Sequence, residues 1–238
     1  MARDVSTLST TYRLFYSTPT FVKNPEMPPV QFRDELFNSR KLRVGFFTSL
    51  PAVCESVPAM KRGVGIAKAV LENKGHRLVP FKIPSPELAY LLKCETFVAD
   101  GEVDTRDLLN ADVEISYPNE HFQKAHLPRP YLKLMKWWLK DAEDIPTKAQ
   151  LATIPKDDPH ELNELLRKVK NYRKMLLETM ADNGLDAILG PAFACPATDL
   201  DSPRDIFSAA TYTGMYNFLN WPAGVVPVTQ VNANDQVR

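Results

Sequence analysis

Residues 216–229, YNFLNWPAGVVPVT, are the stretch of this sequence that decides the fold. A Pro-Ala-Gly tripeptide at 222–224 lets the backbone turn tightly, because the glycine has no Cβ atom to crowd the turn. The valines that follow are β-branched and do not alternate with polar residues, which is typical of a strand buried on both faces. The stretch therefore predicts the end of a helix, a turn, and a buried strand over 225–229.

Strand and helix signals alternate on the N-terminal side of this stretch. Residues 42–48, LRVGFFT, are predicted to form a strand, and residues 59–74 a helix that Gly75 is placed to end. A second strand over 76–83 completes a βαβ unit, which predicts an α/β layer architecture. Further helices are predicted over 5–16 and 86–98.

A longer helix is predicted in the second half of the chain. Asp158 is suited to cap its first turn, Pro159 fits the first helical position, and Gly184 is placed to end it. Leucines and other apolar residues recur between them at helical spacing, so one face of this helix is expected to be buried. Downstream, the sequence predicts a strand over 186–189 and a helix from 203 to 220.

The composition is that of an ordinary globular protein of 238 residues, with 44% hydrophobic and 24% charged residues. Basic and acidic residues both number 29, so the net charge is zero, which argues against a nucleic-acid partner held by a global basic field. No apolar run reaches the roughly 18 residues of a spanning helix, and no secretory leader is recognised at Met1. These features predict an intracellular protein.

The sequence offers no metal or cofactor motif. Cys54, Cys94 and Cys195 lie far apart and are interpreted as reduced thiols. The motifs GxSxG, GxxxxGK[ST] and HExxH do not occur, and the glycines at 63 and 65 are interpreted as helix packing rather than a phosphate loop. The histidines and clustered carboxylates are interpreted as structural or solvated residues; they are His76, His121, His126, His160, Asp141, Glu143, Asp144, Asp157 and Asp158.

The segment 121–140, HFQKAHLPRPYLKLMKWWLK, has no acidic residue and predicts an amphipathic helix beginning near Tyr131. At about 100° per residue, four basic residues fall within an arc of about 60°, and aromatic and aliphatic residues occupy the opposite side. This pattern is typical of a helix lying in a membrane interface, although packing of the same face against the protein or a dimer partner is an alternative. The candidate membrane-interface residues are Arg129, Tyr131, Lys133, Leu134, Lys136, Trp137, Trp138 and Lys140.

Several strings resemble one known family. WPAGVVPVT at 221–229 is similar to a motif region near the C-terminal end of the amidase-signature hydrolases, most of all in their fatty-acid amide hydrolase branch. LRVGFF at 42–47, Gly75-His76 before an apolar strand, and DAILGP at 186–191 resemble the same family in the same order. The resemblance spans nearly the whole chain. It implies the amidase-signature α/β/α fold with a mixed sheet, represented by a C-terminal part that carries an amphipathic helical cap.

The same resemblance implies a chemistry whose catalytic groups are not recognised here. The family hydrolyses amides through an acyl-serine, with a second serine bonded through a cis peptide and with a lysine that relays protons. Both serines lie in a Gly/Ser-rich segment. This chain has nine glycines in total, and no window combines several of them with serine. Residues 1–5, MARDV, resemble the end of a family string that follows that segment. The expectation is that the chain starts just downstream of the nucleophile and contains no catalytic residue.

The resemblance implies one partial amidase domain over 1–238, with a Pro-rich connection over 1–41 and a membrane-cap-like segment over 121–145. It implies part of an amidase of fatty-acid amides, peripheral on the cytoplasmic face of endomembranes, with this chain alone inactive. A non-catalytic isoform or pseudo-enzyme that binds membranes or forms a homodimer, and an incomplete piece of a longer protein, remain open as alternatives. The candidate substrate-channel residues are Phe97, Val98, Pro222, Ala223, Gly224 and Val225.

Overall fold

The computed structural model describes residues 4–16, 22–24, 30, 32–33, 35, 40–99, 127–156, 158–198 and 207–235. The chain divides into two units, residues 1–41 and residues 42–238. In the first unit, helix α1 spans Val5–Phe15, and the Asp4 carboxylate caps it by accepting a hydrogen bond from the Thr7 amide at 2.7 Å. The helix predicted over 5–16 is therefore confirmed. The predictions for residues 1–3, 121–126, 157 and 203–206 lie outside the described residues.

Three parallel strands form the sheet of the second unit. They are β1 (Arg43–Phe46), β2 (Arg77–Pro80) and β3 (Ala187–Leu189), in the order β2-β1-β3. Gly45 of β1 is in register with Val79 on one side and Ile188 on the other. Helix α2 (Pro58–Asn73) joins β1 to β2, which confirms the predicted βαβ unit. Between these three described strands every pairing is parallel, so the antiparallel part of a mixed sheet is not seen here.

The remaining helices follow the predicted order, except for an additional short helix at Ile145–Ala152 that was not predicted. They are α3 (Pro86–Phe97), α4 (Arg129–Trp138), α5 (Ile145–Ala152), α6 (Pro159–Asp182) and α7 (Thr211–Phe218), with 3₁₀ turns at Phe207–Ala210 and Ala233–Asp235. Helix α6 begins as predicted, because the Asp158 carboxylate accepts a hydrogen bond from the Glu161 amide at 2.9 Å. It ends at Asp182, and Gly184 follows two residues later with a φ of 60°, in the left-handed region that favours glycine.

The core lies where α3 meets α5, α6 and α7. Its fully buried side chains include Leu92 of α3, Leu176 of α6 and Tyr212 of α7. Close approach of the backbone adds to this packing at Gly45, where a Cβ atom would lie 2.6 Å from Leu185 Cδ1. No larger residue fits there without displacing its neighbours, so glycine sets how closely β1 packs.

The Tyr212 hydroxyl is the centre of a buried hydrogen-bond network. It accepts hydrogen bonds from the Leu50 amide at 2.7 Å and the Ser56 hydroxyl at 2.9 Å, and it donates one to the Cys54 carbonyl at 2.7 Å. The Ser56 amide in turn donates to the Ser49 hydroxyl. One side chain of α7 therefore fixes the loop that follows β1.

The strand predicted over 225–229 is wrong. Residues 221–232 form no helix or strand, and the side chains of Val225 and Val226 are 67% and 61% exposed. The valine pattern reports a preference for burial, but a strand forms only where a neighbouring strand accepts its hydrogen bonds. Of the strands that the structure describes, none pairs with this segment.

Candidate functional site

Helix α4 presents apolar side chains to solvent. It begins at Arg129, two residues before the predicted start, and Pro130 sits in the first turn, where no amide hydrogen is needed. Trp137 is 65% exposed and Trp138 is 76% exposed, and the side chains of Tyr131 and Leu134 are exposed as well. The side chain of Arg129 lies outside the described residues. A large apolar surface of this kind on a short helix indicates an interaction site.

The inward side of α4 was missed from the sequence. Leu132 is only 6% exposed, whereas Met135 and Leu139 are half-buried. These three residues are spaced at i, i+3 and i+7, so they share one face of the helix. The spacing was the signal that could have revealed this second apolar face, which attaches α4 to the protein. The outward face, with its two tryptophans, adjoins this inward face, because Trp138 lies three residues after Met135.

A basic stripe runs along α4 beside the outward apolar face. Lys133, Lys136 and Lys140 are also spaced at i, i+3 and i+7, and the Lys136 ammonium forms an ion pair with the Glu161 carboxylate of α6. Next to the stripe is an open cleft of about 430 Å³. The cleft is lined by Leu132, Lys133, Lys136, Trp137, Lys140, Ile154, Pro155, Asp158 and Glu161.

The carboxylates of the cleft are both engaged. Asp158 caps α6, and its hydrogen bond from the Glu161 amide is the main cause that lowers the pKa of Asp158 below its ordinary value. Glu161 is the partner of Lys136. The lowered pKa keeps Asp158 negatively charged at neutral pH, and both carboxylates are held in structural contacts rather than placed for acid-base chemistry.

The candidate channel residues differ in their surroundings. Val98 is buried, whereas Phe97 is exposed and its ring makes an edge contact with the Phe207 ring, with centroids 6.1 Å apart. Pro222, Ala223, Gly224 and Val225 are all exposed, and a Cβ atom added to Gly224 would meet nothing within 4 Å. The two groups therefore share no buried wall among the described residues. Their role in a channel stays a prediction.

The exposed segment around Val225 is fixed at its C-terminal side by Arg62 of α2. The guanidinium donates two hydrogen bonds of 2.7 Å to the Asp235 carboxylate, and others to the Gln230 carbonyl and the Thr229 hydroxyl. At the N-terminal side, the Trp221 amide donates to the Tyr216 carbonyl. The hydrogen bonds from Arg62 are the main cause that lowers the pKa of Asp235 to about 2.

A buried lysine on α3 was also missed. Lys93 is 7% exposed, its ammonium donates to the Phe207 carbonyl at 2.8 Å, and it lies 3.6 Å from the centroid of the Phe207 ring. A Cβ atom on Gly214 would approach Lys93 Cδ to 2.7 Å, so glycine leaves the space that the lysine stem fills. Burial lowers the pKa of Lys93 to about 8. The only sequence signal was its position inside the mainly apolar run YLLKC at 90–94.

The cysteines, the possible metal ligands and the helix lengths bear on other kinds of site in the ranges that the structure describes. All three cysteines are free thiols, and burial raises the pKa of Cys195. Within those ranges, no cluster of three or more His, Cys, Asp or Glu side chains is arranged to hold a metal ion. None of the described helices combines the length and apolar character needed to cross a bilayer.

Comparison with known proteins assigns the chain to a class. A sequence model of the family described as Amidase matches residues 1–237, so the chain belongs to the amidase family. Its relatives include fatty-acid amide hydrolase 1 of Sus scrofa, which is 31% identical over 242 residues, and fatty acid amide hydrolase 1 of Caenorhabditis elegans, 30% identical over 248 residues. Both matches cover 100% of this chain but only 41% and 42% of the relatives.

The same fold is found among solved structures. A structure of fatty acid amide hydrolase superposes with a TM-score of 0.66 at 20% sequence identity, covering 92% of this chain and 34% of that one. The small parallel sheet with its surrounding helices is thus a partial amidase-signature α/β fold. The expected family and fold class are confirmed, and the chain spans about two fifths of the length of the curated relatives named above.

Proposed function

We propose that this chain is part of an enzyme that hydrolyses fatty-acid amides at a membrane surface. The observation that carries this proposal is the similarity to fatty-acid amide hydrolase 1, 31% identical across 100% of the chain. The reaction would pass through an acyl-serine, in which the serine hydroxyl attacks the amide carbonyl and the amine departs. None of the 238 residues is assigned as the nucleophile, since no Gly/Ser-rich window occurs among them.

The catalytic part of this proposal is tested with the purified chain. We expect no labelling by a serine-reactive fluorophosphonate and no hydrolysis of a long-chain fatty-acid amide such as oleamide. A relative's full-length hydrolase, treated in parallel, is the positive control for both reagents. Labelling of any serine in this chain, located by mass spectrometry, would contradict the expectation that the chain alone is inactive. The assignment to the amidase family would remain.

The membrane part of the proposal rests on α4. Two tryptophans with large exposed fractions lie beside a lysine stripe, and aromatic side chains of this kind favour the level of the lipid headgroups. The cytoplasmic face of an endomembrane is the proposed location. The same outward face would serve the alternative function of a non-catalytic module that binds membranes or a second copy of the chain.

Replacing Trp137 and Trp138 together with alanine is expected to weaken binding to neutral phosphatidylcholine vesicles. Losing about 100 Å² of buried apolar surface weakens partitioning by about 2.5 kcal/mol, at about 25 cal/mol per Å². Vesicle flotation measures the change. The matched control replaces Val70 and Leu177, which are exposed apolar residues on α2 and α6, with alanine.

The control variant should float like the wild type. Equal flotation of the tryptophan variant and the wild type would show that α4 does not enter the membrane. Sedimentation of the same proteins without vesicles addresses the dimer alternative. A concentration-dependent dimer that the tryptophan substitutions abolish would favour a subunit interface over a membrane-facing helix.

A further inference from the structure

The cleft beside α4 has an excess of positive charge. Three lysines and two carboxylates line it, and one of those carboxylates, Glu161, is paired with Lys136. The other, Asp158, is held by the first turn of α6 that it caps. Lys133 and Lys140 are exposed, and neither has an ion pair among the described residues. Since these two lysines have no ion pair within the part of the chain that the structure describes, the cleft is attractive to an anion.

The cleft also has an apolar floor. Leu132 and Ile154 are buried at its base, and the ring of Trp137 forms part of its wall. Its volume of about 430 Å³ lies within the range of roughly 300–1,000 Å³ that small-molecule sites occupy. Lysines over an apolar floor match an amphiphile with an anionic group better than a small inorganic ion, which would leave the floor without contacts.

The position of the cleft on α4 suits a ligand that is part of a membrane surface. At about 100° per residue, Trp137 lies between the lysine stripe and the outward apolar face of Leu134 and Trp138. When that apolar face enters a membrane interface, residues beside it lie at the level of the headgroups, and lysine stems reach toward the phosphates. The open side of the cleft would then face the headgroup of a lipid in the membrane.

We propose that this cleft binds the phosphate headgroup of an anionic phospholipid, with Lys133 and Lys140 as the cationic ligands and Trp137 against the glycerol and upper acyl region. The inference rests on the proposed membrane function and adds to it a preference among lipids. The tryptophans contribute binding to any bilayer, whereas the two lysines contribute only where the surface carries negative charge. The two contributions can therefore be measured separately.

The test compares flotation with vesicles of phosphatidylcholine alone and of phosphatidylcholine mixed with phosphatidylserine. The wild type is expected to prefer the mixed vesicles. Replacing Lys133 and Lys140 with alanine is expected to reduce binding to the mixed vesicles about twenty-five-fold, since each cation near an anionic surface contributes about fivefold. Binding to the neutral vesicles should be unchanged. Circular dichroism of each variant confirms that the fold is retained.

The matched control replaces Lys82 and Lys170 with alanine, which removes the same charge from exposed positions that do not line the cleft. This variant should keep the preference for the mixed vesicles. An equal loss in both double variants would overturn the proposal, because it would show that net charge alone sets the preference. A wild type that binds both vesicle types equally would overturn it as well, while leaving the membrane function in place.

Two further outcomes show whether the anion is a lipid headgroup or a soluble ion, and whether the lipid preference or the membrane function itself has failed. Inorganic phosphate added to the chain without vesicles should leave the tryptophan fluorescence unchanged. A saturable change that the Lys133 and Lys140 substitutions remove would overturn the lipid assignment in favour of a soluble anion. Absence of wild-type binding to every vesicle would overturn the proposed membrane function, and this inference with it.

Discussion

Replacing Tyr212 with phenylalanine is expected to lower the free energy of unfolding by about 3 kcal/mol. The substitution keeps the ring but removes the hydroxyl that bonds to the Leu50 amide, the Ser56 hydroxyl and the Cys54 carbonyl. Leu50 and Ser56 are buried, so water does not readily replace the lost partner. A buried polar group without a partner costs about 1–3 kcal/mol, and this substitution affects more than one. Urea unfolding followed by circular dichroism measures the change.

The matched control is Tyr216→Phe on the same helix. Tyr216 is half-buried, and no hydrogen bond of its hydroxyl is described. Its substitution should change the free energy of unfolding by less than about 1 kcal/mol. If the two variants are equally stable, the Tyr212 network does not hold the loop after β1, and its short distances carry no net stabilisation.

The stability difference between the wild type and the Lys93→Met variant is expected to depend on pH. The pKa of Lys93 is about 8 in the folded chain, against an ordinary value of 10.5. Between these values the unfolded chain holds the proton and the folded chain has released it, so the stability of the wild type rises with pH. From pH 8 to pH 10 the wild type should gain about 2–3 kcal/mol relative to the variant.

Below pH 8 the full penalty of burying the ammonium is present, so the methionine variant is at its most favourable there relative to the wild type. Urea unfolding at intervals of pH measures the free energy of unfolding of both proteins. Lys170→Met, at an exposed position, is the control and should track the wild type. A constant difference between wild type and Lys93→Met would mean that Lys93 is hydrated in the folded chain.

Local signals in the sequence predicted the elements whose ends are set by their own residues. Helix α6 illustrates this, because Asp158 and Pro159 mark its start and Gly184 marks its end within the local sequence. The βαβ unit of β1, α2 and β2 was also predictable, since strand and helix periodicities differ. Membership of the amidase family followed from ordered strings that span the chain.

The errors concern partners that are distant in sequence. The valines after Gly224 prefer a sheet, but only a neighbouring strand decides whether one forms, and no residue in the segment reports its presence. The same limit hid the hydrogen bond from Lys93 to Phe207, which spans 114 residues, and that between Leu50 and Tyr212, which spans 162. The spacing of Leu132, Met135 and Leu139 marks a second apolar face of α4, but it does not say which of the two faces packs against the protein.

The hydrogen bonds between Arg62 and Asp235 restrain the exposed segment at 221–232, which contains the valines after Gly224. These bonds hold its C-terminal side, and the hydrogen bond from the Trp221 amide to the Tyr216 carbonyl holds its N-terminal side. The segment therefore explores fewer conformations than a free tail of equal length. The segment therefore loses less conformational entropy on pairing with a strand than an unrestrained segment would lose. The segment is therefore preorganised for pairing with a neighbouring strand.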